Sequence, residues 1–160
     1  MFLKIVGGVL HAHDTAICST DYVVSLTKWD NLWQWGDLDG DELPKFLFAN
    51  KRPESIDGTG WRLASDVRKV IGDKIYDAKA RPLFTLLVDN PTEAYKDINA
   101  VWTKFNHIFM VFGALVTYTE VWKDYFRQAL QEMYDDGVQL LEFRGVLPEV
   151  CLICLLEHFI

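Results

Sequence analysis

The sequence predicts an α/β chain with parallel strands, and three stretches carry that prediction: an apolar, β-branched run from Phe2 to Leu10, a 3.6-residue hydrophobic rhythm from Ile98 to Met133, and a second short apolar run from Val138 to Phe143. The 160 residues amount to about one domain. Half of them are hydrophobic and 14% are aromatic, which excludes disordered, collagen-like and low-complexity architectures.

Taken in order, Phe2–Leu10 is too short for a helix and too continuous for a half-exposed strand, so it predicts a strand buried on both faces. Polar chemistry follows at once in His11-Ala12-His13-Asp14-Thr15. Ser19-Thr20-Asp21 then opens a short helix through Tyr22, Val23 and Leu26. From Trp29 to Gly60 the periodicity decays among Trp33, Trp35, Asp37, Asp39, Gly40, Asp41, Pro44, Pro53 and the cluster Asp57-Gly58-Thr59-Gly60, which predicts a loop-rich inserted subdomain. Helical spacing resumes at Leu63, Val67 and Val70, and Ala80–Pro91 is an irregular connection. The long rhythm through Trp102, Phe105, Phe109, Phe112, Trp122, Tyr125 and Met133 divides into two helices. Thr117 and Glu120 have capping-box spacing, so a break near Tyr118 and a new start at about Thr119 are expected. Asp135-Asp136-Gly137 stops the second helix and the second strand follows.

Charge and cysteine content narrow the function classes. With 16 basic and 23 acidic residues the formal charge is -7, without the positive field that phosphate backbones require, so no nucleic-acid partner is expected. Cys18, Cys151 and Cys154 form an odd set in apolar surroundings, read as buried free thiols rather than a disulfide framework or a zinc knot. The N-terminal run lacks the length and cleavage site of a secretory leader, and the apolar stretch after Val150 is well under the ~18 residues of a membrane span, so neither a leader nor a membrane segment is expected.

His11 and His13, two residues apart on a strand, share a face, and neutral imidazole is a good zinc ligand. By spacing alone a packed or surface pair is the commoner reading. Their position at the end of a buried strand favours a metal, because α/β barrels keep their chemistry at the C-terminal ends of strands.

Gly7-Gly8-Val9-Leu10-His11-Ala12-His13-Asp14 resembles the first-strand metal motif of the adenosine deaminases. More closely, the chain resembles the secreted branch called adenosine deaminase-related growth factors. Asp30-Asn31-Leu32-Trp33, Val101-Trp102-Thr103-Lys104-Phe105, Lys123-Asp124-Tyr125 and Leu140-Leu141-Glu142-Phe143-Arg144 extend the likeness, in order, over roughly residues 3 to 150. The resemblance implies an incomplete (β/α)8 barrel, made of the first two strands and the helices between them with an insertion after strand 1. It implies zinc-dependent hydrolytic deamination of adenosine to inosine and ammonia, with His11 and His13 as zinc ligands. It also implies substrate contacts from Asp14, Trp102, Phe105, Asn106 and Phe109; by spacing alone, Phe105 and Phe109 read as helix core. An extracellular location and a homodimer of the complete protein are implied in the same way.

Three departures from the pattern stand beside that likeness. The insertion normally carries a disulfide, but the matching stretches near Trp35 and Gly58 have no cysteine. Asn106 stands where a ribose-contacting glutamate is expected. The other ligands and the catalytic groups of the family are expected beyond Ile160; His107 and His158 sit in no matching motif. The expected organisation is therefore residues 1–28 for the first strand and helix, 29–62 for the insertion, 63–150 for helices and second strand, and 151–160 for a divergent apolar tail. The expectation is a truncated or alternatively spliced product, or an incomplete gene model, without catalytic residues and inactive alone. The alternative is a non-catalytic, growth-factor-like product that binds a partner or a full-length sibling.

Overall fold

The computed structural model describes residues 7–54 and 60–145. The start of the predicted first strand, the Asp57-Gly58-Thr59 turn, Cys151, Cys154 and the tail 151–160 lie outside them.

Two sheets and a helical layer make up the described chain. Strand β1 (Gly7–His13) pairs in parallel with β5 (Val138–Arg144). Short strands β2 (Leu32–Trp35), β3 (Lys45–Phe48) and β4 (Trp61–Leu63) form an antiparallel sheet in the order β3-β2-β4. The helices are α1 (Thr20–Leu26), α2 (Ala64–Ile71), α3 (Asp73–Ala80), the single turn α4 (Pro91–Ala94), α5 (Ile98–Val116) and α6 (Thr119–Asp135), with a 3₁₀ turn at Arg81–Phe84. Parallel strands with intervening helices are the predicted class, compatible with part of a barrel.

Ser19 caps α1 as its sequence predicts, its hydroxyl accepting the Tyr22 N–H. Asp97 does the same for α5 by accepting the Ala100 N–H at 2.9 Å. The break between α5 and α6 falls where expected, but no capping box forms. Tyr118 is the extended residue before α6 and makes no side-chain cap, while the Thr117 hydroxyl donates back to the Ala114 carbonyl. Packing makes the break instead: Tyr118 is buried against Phe48 and Trp29, at ring separations of 4.8 and 5.8 Å. Gly137, at φ 80°, ends the second helix as predicted.

The stretch predicted to be loop-rich holds the three-stranded sheet. Its strands are three or four residues long and interrupted by Asp, Gly and Pro, so alternation hardly has room to show. The pleat is nevertheless regular: Leu32 and Gln34 point into the core with Phe46 and Phe48, leaving Trp33 and Trp35 half-buried. Gln34 is tolerated there because its amide is satisfied, accepting from the Tyr76 hydroxyl at 2.7 Å and donating to the Gly36 carbonyl at 2.9 Å. The core continues from this sheet through Leu26 and Tyr76 to Phe112, Leu115, Val121 and Tyr125. Each such side chain contributes roughly 1.5–3 kcal/mol by leaving water.

The predicted double-sided burial of the first strand is not observed. Leu10 of β1 is 62% exposed and Phe143 of β5 is 50% exposed, because α6 covers the pair and no further strand among the described residues does. The strand takes in His11 and His13, as the reading of their shared face requires, and its register with β5 shifts between Val9 and Ala12. An extra residue in one strand is the mark of a bulge, a device that re-aims side chains beside functional sites.

Candidate functional site

The C-terminal end of β1 brings His11, His13 and Asp14 together. The two imidazoles project to the same side with ring centroids 5.3 Å apart, edge to face. Asp14 closes the strand: its N–H donates to the Arg144 carbonyl at 2.9 Å, extending the β1–β5 pairing, and the Ala16 N–H turns back onto the His13 carbonyl. Asp14 is only 7% exposed. The carboxylate lies against Gly145, where an added Cβ would collide with Oδ2.

Two neutral imidazoles on one face are suitable donors to a zinc ion. They are half of a ligand set: no group of three His, Cys, Asp or Glu side chains among the described residues could hold a metal. The pair therefore fits zinc as two ligands of a site that needs at least one more.

The aromatic residues predicted for substrate contact line one flank of α5. Phe105 and Phe109 border a cavity of about 220 Å³ together with Thr15 and Ala16 from the loop just after Asp14, and with Phe112 and Tyr125 from the core. Trp102 packs edge-on against Phe105 at 5.4 Å and is 57% exposed, outside that cavity; Asn106, one turn on, is also exposed.

Local spacing gave no sign of what holds the Asp14–Ser19 loop. The Tyr125 hydroxyl accepts the Ile17 N–H at 3.0 Å, and the Tyr125 carbonyl accepts the Cys18 thiol at 3.3 Å. Two turns on, the Glu132 carboxylate takes both the Ser19 N–H at 2.7 Å and the Ser19 hydroxyl at 2.8 Å, with Gln128 donating to it as well. Burial pushes the Cys18 thiol up to about 12, helped by the nearby Glu132 charge and opposed by the hydrogen bond to Tyr125. Burial likewise holds the Tyr125 phenol above its usual range. At Glu132 burial acts upward, but the bonds from Gln128 and Ser19 outweigh it and hold the carboxyl below the usual range. Cys18 is free and half-buried, as predicted for a structural thiol.

No helix of the described residues is long and apolar enough to cross a membrane. No protein-family model matches the chain. An adenosine deaminase of Aedes albopictus is 45% identical over 144 residues, covering 90% of this chain and 26% of the relative. One of Phlebotomus duboscqi is 45% identical over 142 residues, covering 89% and 27%. Adenosine deaminase 2 of Homo sapiens is 31% identical over 147 residues, covering 90% and 28%. The chain thus spans a little over a quarter of the length of these relatives. Identity of that order along nine-tenths of the chain, with parallel strands carrying two histidines at the expected end of β1, places it in the family of the adenosine deaminases and adenosine deaminases 2.

Proposed function

We propose that this chain is the part of a zinc-dependent adenosine deaminase that supplies two metal ligands, His11 and His13, and one wall of the nucleoside site. The observation that carries the reading is the pair of imidazoles on one face at the C-terminal end of β1, in a chain 45% identical to an adenosine deaminase. A zinc ion held there would supply Lewis-acid activation of water near neutral pH. The chain's own residues bind and orient. Asp14, buried at the end of β1 next to His13 in sequence, would accept a hydroxyl hydrogen bond from the ribose. Trp102, Phe105 and Phe109 would give the purine an apolar, water-excluding flank, with Asn106 as a neutral polar group beside it.

Acting alone, the chain should not turn over adenosine. Two imidazoles hold metal weakly, and a proton-transfer group, typically worth 10²–10⁴-fold, must come from elsewhere in a complete deaminase. The complete protein would act outside the cell on adenosine and assemble as a homodimer. The test replaces the homologous quarter of the Aedes albopictus deaminase with residues 7–145 of this chain. An active, zinc-dependent chimera that loses activity with His11→Ala or His13→Ala supports the reading. A chimera whose zinc content and activity ignore both substitutions sinks it, and turnover by the isolated chain refutes the claim that it is inactive alone. A non-catalytic interaction product remains the second reading, favoured by the exposed Leu10, Leu140 and Phe143 of the β1–β5 pair.

A further inference from the structure

We infer that Tyr125 and Glu132, seven residues apart on one face of α6, are positioning residues that clamp the Asp14–Ser19 loop from behind and so set where Asp14 and His13 stand at the end of β1. The inference rests on the metal reading above, but its grounds are separate. The loop has one local bond, the Ala16 N–H to the His13 carbonyl, and the Asp14 N–H ties its start to the Arg144 carbonyl of β5. Two further backbone N–H groups of the loop are held from α6, more than 100 residues away in sequence: Ile17 by the Tyr125 hydroxyl and Ser19 by the Glu132 carboxylate.

The two anchors differ in kind. Tyr125 is fully buried, stacked beside Trp122 with Phe112 tilted against it, and its phenol reaches out of the core to one backbone amide. A rigid ring with a single polar tip fixes the height of Ile17 above the helix. Glu132 takes both donors of Ser19 and is itself held by Gln128, so the N-cap of α1 is bound to α6 by a charge-assisted, two-point contact. The α6 anchors hold Ile17 and Ser19, three and five residues past Asp14, while the Asp14 N–H is held by Arg144 of β5, so the loop is tied to the strand pair at one end and to α6 at the other. Groups behind metal ligands commonly govern affinity because they decide ligand orientation, and their loss typically costs about 10–100-fold. A clamp one remove farther back should cost less, about threefold to tenfold.

The full chain is titrated with zinc while amide exchange is followed at Asp14 and Ala16, for wild type, Tyr125→Phe, Glu132→Ala and Glu132→Gln. Val121→Ala, a buried α6 change that removes no hydrogen bond to the loop, is the control for general destabilisation. Tyr125→Phe and Glu132→Ala are expected to weaken zinc binding about threefold to tenfold and to speed exchange at Asp14 and Ala16. Glu132→Gln, which keeps one acceptor for Ser19, should fall between Glu132→Ala and wild type, and Val121→Ala should change neither readout. If the anchors behave no differently from Val121→Ala, the clamp is overturned. If wild type binds no zinc, or binds it unaffected by His11→Ala, the metal reading fails while exchange at Asp14 still decides the clamp.

Discussion

Nη2 of Arg68, on α2, donates to the Thr27 hydroxyl at 2.6 Å, joining the insertion side of the molecule to the end of α1. The same guanidinium lies 4.0 Å over the Tyr76 ring and pairs with Asp73 at 3.0 Å and Asp77 at 2.7 Å. Its burial makes these contacts count, but the carboxylates differ: Asp73 is largely exposed and Asp77 about one-third exposed. Arg68→Met is expected to destabilise the fold by about 2–3 kcal/mol, below the usual loss for a fully buried pair, and Asp73→Asn by less than about 0.5 kcal/mol. Urea denaturation of the two variants checks the order.

Tyr76→Phe keeps the ring beneath Arg68 and removes only the donor to Gln34, leaving the buried Gln34 Oε1 without its partner. A cost of about 1–2 kcal/mol is expected from the orphaned acceptor. Tyr76→Phe combined with Gln34→Leu should recover much of it, and a double-mutant cycle by thermal unfolding measures the coupling.

The Cys18 thiol should label slowly. With its pKa pushed from 9.0 to about 12 by burial and the Glu132 charge, the thiolate fraction at pH 8 falls on the order of a thousandfold below that of an unperturbed thiol. Iodoacetamide modification followed residue by residue in the mass spectrometer should find Cys18 protected in the native chain and reactive in denaturant. Glu132→Gln should speed the native reaction.

Glu132 also gives the clamp a pH dependence. Its folded pKa is depressed from 4.5, so the stabilisation is present above the unfolded value and is lost as pH falls through the folded one. Wild type should exceed Glu132→Gln in stability at neutral pH, and the gap should close as pH drops below about 4.5. A gap that widens on acidification would show the sign to be wrong.

What the sequence made legible was local. Ser19 as a cap, the helix break beside Tyr118, Gly137 as a stop and the β5 run are each decided by a few adjacent residues, and so is the His11–His13 spacing. The break shows the limit of such reasoning, since Thr117 and Glu120 have the right spacing and yet the buried Tyr118 makes the corner. The Trp33–Trp35 and Phe46–Phe48 strands were hidden by shortness, and their alternation shows only once they are paired. Tyr125 read as one more apolar position on an amphipathic helix; nothing in its neighbours signals that its hydroxyl meets Ile17 across 108 residues. The β1 run looked doubly buried because hydrophobic composition records what a strand needs, and cannot record whether the described residues provide it.

Because β1 pairs with β5, from Gly7 opposite Val138 to His13 opposite Arg144, the two strands of one sheet stand about 130 residues apart in the chain. Closing so long a loop is entropically costly before any contact rewards it, and such pairings slow folding. On the ribosome the two histidines therefore emerge about 130 residues before the strand that pairs with theirs. The end of β1 gains its neighbouring strand only after α6, whose Tyr125 and Glu132 hold the following loop, has been synthesised.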